Sequence, residues 1–367
     1  MRIQRRLTTP RWLVVAVPAF SLVAAFVAAA IVLVAAGKDP VATYSRLLDR
    51  AFIAPGALSS TLITATPLLF TGLAAAAAFR IRLWNIGGEG QLYLGAIGAS
   101  GLGLVLRDQP AAVIIAGMIA GGVVAGAAWA IIPGLLKAYF NTNEIITSLM
   151  LNYVGGLLLT YLIFDSRSFW RDLSSFSARV FPQGKPLPDA AAWPTFDAGL
   201  LFIPFGFVVG VVVASGLWLM YRSTIFGFQA RVLGDSPPAA RYAGIKTRRL
   251  VVSMMALSGA LAGLGGASEI GDFRHVLDPR GLQQAGFGYS GIVVAALARY
   301  NPFAVVVVAF LLGGLANAGY SLQGPDFPAG LVGVLQGMIL FFALGGELLL
   351  RYRVSFRTRN VLGVAAE

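Results

Sequence analysis

Ten apolar runs, most of them about 20 residues or longer, divide this chain, and runs of that length are solvated by a bilayer rather than by water. They lie near 12–36, 57–79, 86–106, 111–136, 144–164, 199–221, 250–270, 286–298, 302–321 and 328–350 of 367 residues. Hydrocarbon offers no partner to a free N–H or C=O, so a chain built this way must cross as helices. The expected fold is therefore an all-α polytopic membrane protein of about ten spans, with 1–367 forming a single transmembrane domain. The run at 286–298 is short and reads equally as a half-span or a re-entrant segment. The run at 12–36 exceeds the roughly 7–15 residues of a signal-peptide core, so it reads as a retained first helix. Only 12% of residues are charged, against about 25% in soluble domains.

The charge pattern sets an orientation. The formal net charge is +12, and basic residues concentrate in segments that stay on the cytoplasmic side. With the N-terminus inside, Arg2, Arg5, Arg6 and Arg11 precede the first span. Arg80, Arg82, Lys137, Arg299, Arg351, Arg353, Arg357 and Arg359 then fall inside, as does a basic loop at 222–249. The opposite side carries the acids Asp39, Asp49, Asp108, Asp272, Asp278 and Asp326. An external loop at 165–198 balances Arg167, Arg171, Arg179 and Lys185 against Asp165, Asp172, Asp189 and Asp197. Both termini are expected in the cytoplasm. Spans 1–5 and 6–10 would then run oppositely, as in inverted-repeat transporters, although no residue-level repeat links the halves. The basic excess accompanies membrane spans and is not interleaved with aromatics, which argues against nucleic acid.

Enzyme chemistry has no constellation. The chain has no Cys and one His, His275, so thiolate sites and clustered imidazole ligands are excluded. It has no Gly-x-x-x-x-Gly-Lys-Ser/Thr, no His-Glu-x-x-His, no EF-hand loop and no Gly-x-Ser-x-Gly. No metal, catalytic residue or bound cofactor is expected. Glu89 is the one acid that stands out as a coupling group inside a span, too little for a proton relay.

Polar residues nevertheless cluster where lipid should be. Asn85, Glu89 and Gln91 open the third span among Gly87, Gly88 and Gly90. They read as a functional or structural network, or as a solvated helix start, and the glycines would permit a broken helix. At the fifth span Asn143 can cap with Glu144 in the first turn. Ser148 and Asn152, four apart, share a face and could bond neighbouring helices or line a pathway. Phe287, Tyr289 and Ser290 alternate with glycine at the short eighth run, a pattern that suits irregular backbone lining a cavity. Asn317 and Gln336 read as interhelical hydrogen bonds. Glycines at 95, 98, 101, 121, 122, 126, 259, 263, 265 and 266 suit close helix packing, and equally helices that slide.

The polar segment 227–245, between the sixth and seventh runs, carries the punctuation of a small helix. Asp235 and Ser236 are N-cap types, Pro237 suits a first turn, and Gly244 can end it. Between them Ala239, Ala240, Arg241, Tyr242 and Ala243 can continue the helix. A capped helix outside the membrane with small surface residues is a plausible docking element.

Three segments together carry a resemblance: 85–91 (Asn-Ile-Gly-Gly-Glu-Gly-Gln), 143–153 (Asn-Glu-Ile-Ile-Thr-Ser-Leu-Met-Leu-Asn-Tyr) and 234–245 (Gly-Asp-Ser-Pro-Pro-Ala-Ala-Arg-Tyr-Ala-Gly-Ile). Over roughly 55–350 the chain resembles permease subunits of ABC importers of the branched-chain amino acid and simple-sugar type. Within them it is most similar to the nucleoside or simple-sugar permeases served by basic-membrane-protein-type lipoproteins, nucleoside being favoured. Where that family is expected to read Gly-Glu-Asn-Pro, this chain has Gly234-Asp235-Ser236-Pro237, and either version can cap. The resemblance implies import across a bacterial plasma membrane, with ATP and Mg on separate ATPase subunits. It further implies a second permease, alike or identical, and an external binding lipoprotein. It makes 234–244 (Gly234, Asp235, Ser236, Pro237, Ala239, Ala240, Arg241, Tyr242, Ala243, Gly244) the ATPase-coupling segment. The substrate pathway is expected from Asn85, Glu89, Gln91, Ser148, Asn152, Phe287, Tyr289 and Ser290. Simple sugars or branched-chain amino acids are the alternative cargo. An ion-coupled transporter working alone is one rival, and a membrane scaffold or assembly protein, which would need no polar pathway, is a third reading.

Overall fold

The computed structural model describes residues 2–5, 10–164, 168–174, 176–199, 201–322, 330, 333–335, 337–339, 341–342, 345–346 and 352–355. The run at 328–350 lies about half outside them. Asp165, Arg167, Asp326, Gln336, Arg351, Arg357 and Arg359 lie outside them entirely. The chain divides into two compact units, one of 1–43 with 330–367 and one of 44–329. In the first, helix α1 (Arg11–Ala35) follows a short strand, Arg2–Arg5. That strand pairs antiparallel with Tyr352–Ser355, Arg2 opposite Ser355 and Arg5 opposite Tyr352.

The second unit is helical with short extended pieces. After α2 (Pro40–Leu48) come α3 (Ala57–Arg80), α4 (Gly88–Val105), α5 (Ala111–Phe140) and α6 (Glu144–Phe164). A short α7 (Phe176–Val180) leads to α8 (Phe205–Ser223), α9 (Ile225–Asp235) and α10 (Pro237–Tyr242). Then follow α11 (Thr247–Ser268), continued by a π-helical turn at Glu269–Arg274, α12 (Pro279–Ala285), α13 (Phe287–Leu297) and α14 (Pro302–Leu322). Among the described residues, six helices are long and apolar enough to cross a membrane: α3, α5, α6, α8, α11 with its π turn, and α14. This is a multi-pass membrane protein. Its outward faces are apolar, with Val124, Leu157, Val212 and Val307 exposed, while Ser148 and Asn152 of α6 are buried. That arrangement inverts the soluble pattern, as lipid demands.

The helix α3 is the centre, 89% buried along its span against 22% for α6. A second core forms where α4, α5 and α11 pack against one another, and glycine makes that approach possible. A Cβ on Gly95 would strike the Gly263 backbone, one on Gly263 would strike the Gly122 carbonyl, and one on Gly259 would strike the Gly126 carbonyl. The glycines therefore act in packing. Gly263→Val should destabilise the detergent-solubilised chain by at least the ~1–3 kcal/mol typical of overpacking, because backbone blocks relief, and so lower its thermal unfolding midpoint. Gly216→Ala, whose Cβ would meet nothing within 4 Å, serves as the control and should leave the midpoint unchanged or slightly raised, since Ala suits a helix interior better than Gly. Equal midpoints for wild type and Gly263→Val would refute the close-packing account.

Two boundaries depart from the sequence expectation. The span placed at 199–221 begins only at Phe205. Apolar residues before it form a small antiparallel hairpin, Thr195–Asp197 with Phe202–Pro204, turned at Gly199 with φ +78°. Hydropathy does not distinguish an apolar strand from a helix. The run at 286–298 is the second half of a broken helix. Its helix α13 has 11 residues, about 16 Å long at 1.5 Å per residue, too short to cross alone. The break is Gly286, left-handed at φ +59° between α12 and α13. On the α12 side, Gln283 Nε2 donates to Gly156 O and Thr160 Oγ1 near the far end of α6. Beyond the other end of α13, Tyr300 meets Phe79 at the end of α3. The two pieces therefore run end to end across the same bundle.

Candidate functional site

The stretch 81–87 between α3 and α4 is not helical, so its polar backbone must find partners inside the protein. Asn85 supplies them. Its amide pairs reciprocally with that of Gln91, both bonds at 3.0 Å. Its Oδ1 accepts from Gly87 N, and its Nδ2 also donates to Ser258 Oγ on α11. Ser258 in turn donates to the Ala74 carbonyl of α3 at 2.7 Å. From α6, Ser148 Oγ accepts from Ile86 N, and Asn152 brackets the start of α4. Asn152 Oδ1 accepts from Gly90 N at 2.8 Å while its Nδ2 donates to Ile86 O at 2.8 Å and to Tyr289 Oη. Asn85, Gln91, Ser148 and Asn152 are all buried and bonded mainly to one another and to backbone.

Glu89 closes the break in the α12–α13 helix. Gly286 offers α13 no side-chain cap, and the first N–H groups of a helix need acceptors. Glu89 Oε2 accepts from Gly288 N at 2.6 Å and Tyr289 N at 3.2 Å, while Oε1 accepts from Tyr93 Oη. A carboxyl group at that end also meets the positive pole of the helix. Gly288 is required here, since a Cβ on it would strike the Glu89 backbone. Of the residues expected in the pathway, Asn85, Glu89, Gln91, Asn152 and Tyr289 form one network with Ser148, and Phe287 and Ser290 flank it on α13.

Asp272 does for α8 what Glu89 does for α13. Expected in an external segment, it lies in the π turn that ends α11. Its Oδ1 accepts from Gly206 N at 3.3 Å, in the first turn of α8. The sequence also overlooked Glu269, which is buried as fully as Glu89. It is ion-paired at 2.7 Å with Arg274, whose other nitrogen reaches Asp278 at 3.0 Å. Glu89 is therefore not alone among buried acids. A spacing of five residues shares a face in a π turn and not in an α-helix, so a scan for i,i+4 pairs passes over Glu269 and Arg274.

Beside this pair is a cavity of about 280 Å³ between α3, α13, α14 and the π turn. Ser60, Thr64 and Asn317 offer hydrogen bonds, Phe287 and Tyr320 offer aromatic surface, and Arg274 with Glu269 gives a charged floor. Asn317 also bridges helices as expected, its Nδ2 donating to Thr61 Oγ1 at 3.3 Å. Such a mixture suits a small polar solute with a flat face. Phe287 is the one expected pathway residue that lines it.

The segment 227–245 holds two helices. Thr224 Oγ1 caps α9 by accepting from Gly227 N at 3.1 Å. Asp235 is the last residue of α9 and not an N-cap, because α9 continues to it from Ile225. Ser236 alone caps α10, its Oγ accepting from Ala239 N at 3.4 Å. Behind it Pro237 and Pro238 occupy the first turn, where no N–H is needed. Past Tyr242 the Ile245 N bonds Ala240 O, Gly244 N bonds Arg241 O, and Gly244 sits at φ +72°, the Schellman ending. Ala239, Arg241, Tyr242 and Ala243 are exposed, Tyr242 at 97%. Gly234 and Ala240 are buried instead. A Cβ on Gly234 would strike the Arg80 carbonyl at the end of α3, so α9 rests on that end and holds α10 against the bundle.

Residues 57–344 match the family described as "Branched-chain amino acid transport system / permease component". Curated relatives align over nearly full length. The glucose ABC transporter permease protein TsgB13 of Haloferax volcanii is 32% identical over 96% of this chain and 93% of its own. The guanosine ABC transporter permease protein NupP of Bacillus subtilis is 30% identical over 89% and 92%. The nucleoside ABC transporter permease protein NupB of Lactococcus lactis is 28% identical over 89% and 90%.

Proposed function

The chain belongs to the branched-chain amino acid transport system permease component family, and from that premise we propose that it is the membrane subunit of an ATP-driven nucleoside importer. As a permease component it is a transport subunit. The observation that carries the cargo assignment is the near full-length similarity to guanosine and nucleoside permeases. The cavity beside Glu269 supports it. Phe287 and Tyr320 suit stacking on a base, and Ser60, Thr64 and Asn317 suit the hydroxyls of a ribose. A simple sugar is the second reading, favoured by the glucose permease at 32% identity.

Hydrolysis of ATP with Mg belongs to separate ATPase subunits, since this chain has no P-loop. They dock on the exposed face of α10, and their closing motion passes through α9 to α3, α8 and α11, which α9 touches. A second permease, alike or identical, completes the pathway, and an external binding lipoprotein delivers cargo. Both termini face the cytoplasm of a plasma membrane: the pairing of Arg2–Arg5 with Tyr352–Ser355 supports a common side, and the basic residues near both ends support the cytoplasmic one.

The test is uptake of labelled guanosine, adenosine and uridine by cells expressing this permease with its neighbouring genes, in competition with ribose, glucose and leucine. Nucleosides should compete and leucine should not. Competition by glucose or ribose alone would establish the sugar reading, and competition by leucine alone would end the nucleoside one. Uptake by the purified chain in liposomes under an ion gradient, without any ATPase, would replace both with a secondary transporter.

A further inference from the structure

We propose that an arginine-lined pocket at the α9 end of the bundle binds the phosphate of an anionic phospholipid headgroup. The pocket, about 360 Å³, lies where three membrane helices end. Arg80 closes α3, Arg222 and Tyr221 close α8, Arg231 projects from α9, and Arg299 precedes α14. Among the described residues none of these four arginines has an acidic partner within ion-pair distance. Four guanidinium groups facing one space without a counter-charge repel one another, so an anion is the complement the pocket lacks.

Two buried polar atoms point the same way. Arg80 Nε and Tyr221 Oη have no hydrogen-bond partner, although Tyr221 is 5% exposed. The Arg80 guanidinium is stacked 4.3 Å over the Tyr221 ring, which fixes it at the pocket wall. Arg299 and Tyr300, which also line the pocket, adopt left-handed backbone at φ +49° and +61° as they end α13, Tyr300 N bonding Ala295 O and Arg299 N bonding Ala296 O.

The surroundings identify the anion as a lipid's. Arg222 lies over the Trp218 ring at 5.1 Å, and Trp218 packs against Phe303 at 5.7 Å. Both aromatics are exposed on the outer surface, the position of an interfacial belt at headgroup depth. On α9, Ile225 and Phe228 are exposed and stand at three-residue steps from Arg231, so that face meets lipid as well. Phosphate oxygens would enter among the arginines while acyl chains leave past Trp218 and Phe303. A basic pocket between membrane helices recognises headgroups in this way.

Native mass spectrometry of the purified full-length chain tests the assignment. Phosphatidylglycerol or cardiolipin should be retained and phosphatidylcholine should not. The double variant Arg222→Gln/Arg231→Gln, both side chains lying on the surface, should bind the anionic lipids at least tenfold more weakly while keeping its thermal midpoint in phosphatidylcholine. Arg222→Lys/Arg231→Lys, which keeps charge without the planar fork, should fall between. Undiminished retention by the glutamine variant overturns the proposal. So does protection by millimolar inorganic phosphate or glycerol phosphate equal to that of lipid, which would mark a site for soluble phosphate. Loss of a co-expressed ATPase subunit from the glutamine variant with lipid retention intact would assign the pocket to an acidic protein surface. None of these readings depends on which solute is imported.

Discussion

Glu89→Ala should cost the fold about 3 kcal/mol or more and abolish uptake. The variant removes the acceptor of three donors, Tyr93 Oη and the backbone N–H groups of Gly288 and Tyr289. Each buried donor left unmade costs about 1–3 kcal/mol. Water has little access to repair the loss, since Glu89 is 1% exposed. The change also removes the group that meets the positive end of α13, just past the Gly286 break. Without it α13 should slip relative to α4, carrying Phe287 away from the cavity. Glu89→Gln retains one oxygen for the two N–H groups, and the Tyr93 hydroxyl can turn to accept from the new amide, so its effect should be several-fold smaller. Tyr93→Phe should be the mildest, near the ~1 kcal/mol of one net hydrogen bond. Thermal unfolding in detergent and uptake normalised to membrane-embedded protein would order the three. Wild-type stability in Glu89→Ala would remove the cap from the account of this fold.

The contrast between Glu89 and the α10 cap shows what a sequence exposes. Membrane class was readable because apolar runs are local and their length is fixed by the bilayer. Caps that act within a few residues were readable too. Asn143 Oδ1 accepts from Ile145 N at 3.0 Å, as expected, and Gly244 ends α10 where expected. Partners distant in sequence were not. Glu89 and Gly288 are 199 residues apart, and nothing local to either names the other. The cluster around Asn85 was visible as polar residues at odds with their surroundings, yet which of them bond inward depends on Ser258 and Ala74 of other helices. Buried Glu269 was hidden because its partner is five residues on, a spacing that only the π turn makes into a face. The start of α8 was misplaced because Phe202 and Ile203 are as apolar as the helix they precede. Four arginines from four separate elements converge on one pocket, and the sequence explained each singly as a mark of topology.

Ala239→Glu and Ala243→Trp should reduce nucleoside uptake to background while the protein remains folded in the membrane. Both positions are exposed and carry a single methyl group, so substitution there removes no internal contact. Ala240 is the internal standard. It is fully buried, so Ala240→Trp should destabilise the segment itself through overpacking of about 1–3 kcal/mol. The three variants thus separate docking from folding: the first two should lose uptake at an unchanged thermal midpoint, and the third should lose both. Coupling adds a sharper expectation. An ATPase that docks on α10 drives transport only if α10 moves with the bundle, and Gly234 against the Arg80 carbonyl is the contact that binds α9 to α3. Gly234→Val should therefore uncouple, leaving ATPase subunits bound but their hydrolysis unresponsive to substrate. Co-purification reads binding, and substrate-stimulated hydrolysis in proteoliposomes reads coupling. Full uptake in Ala239→Glu and Ala243→Trp would show that no partner sits on this face, and substrate-stimulated hydrolysis surviving in Gly234→Val would show that motion enters the membrane by another route.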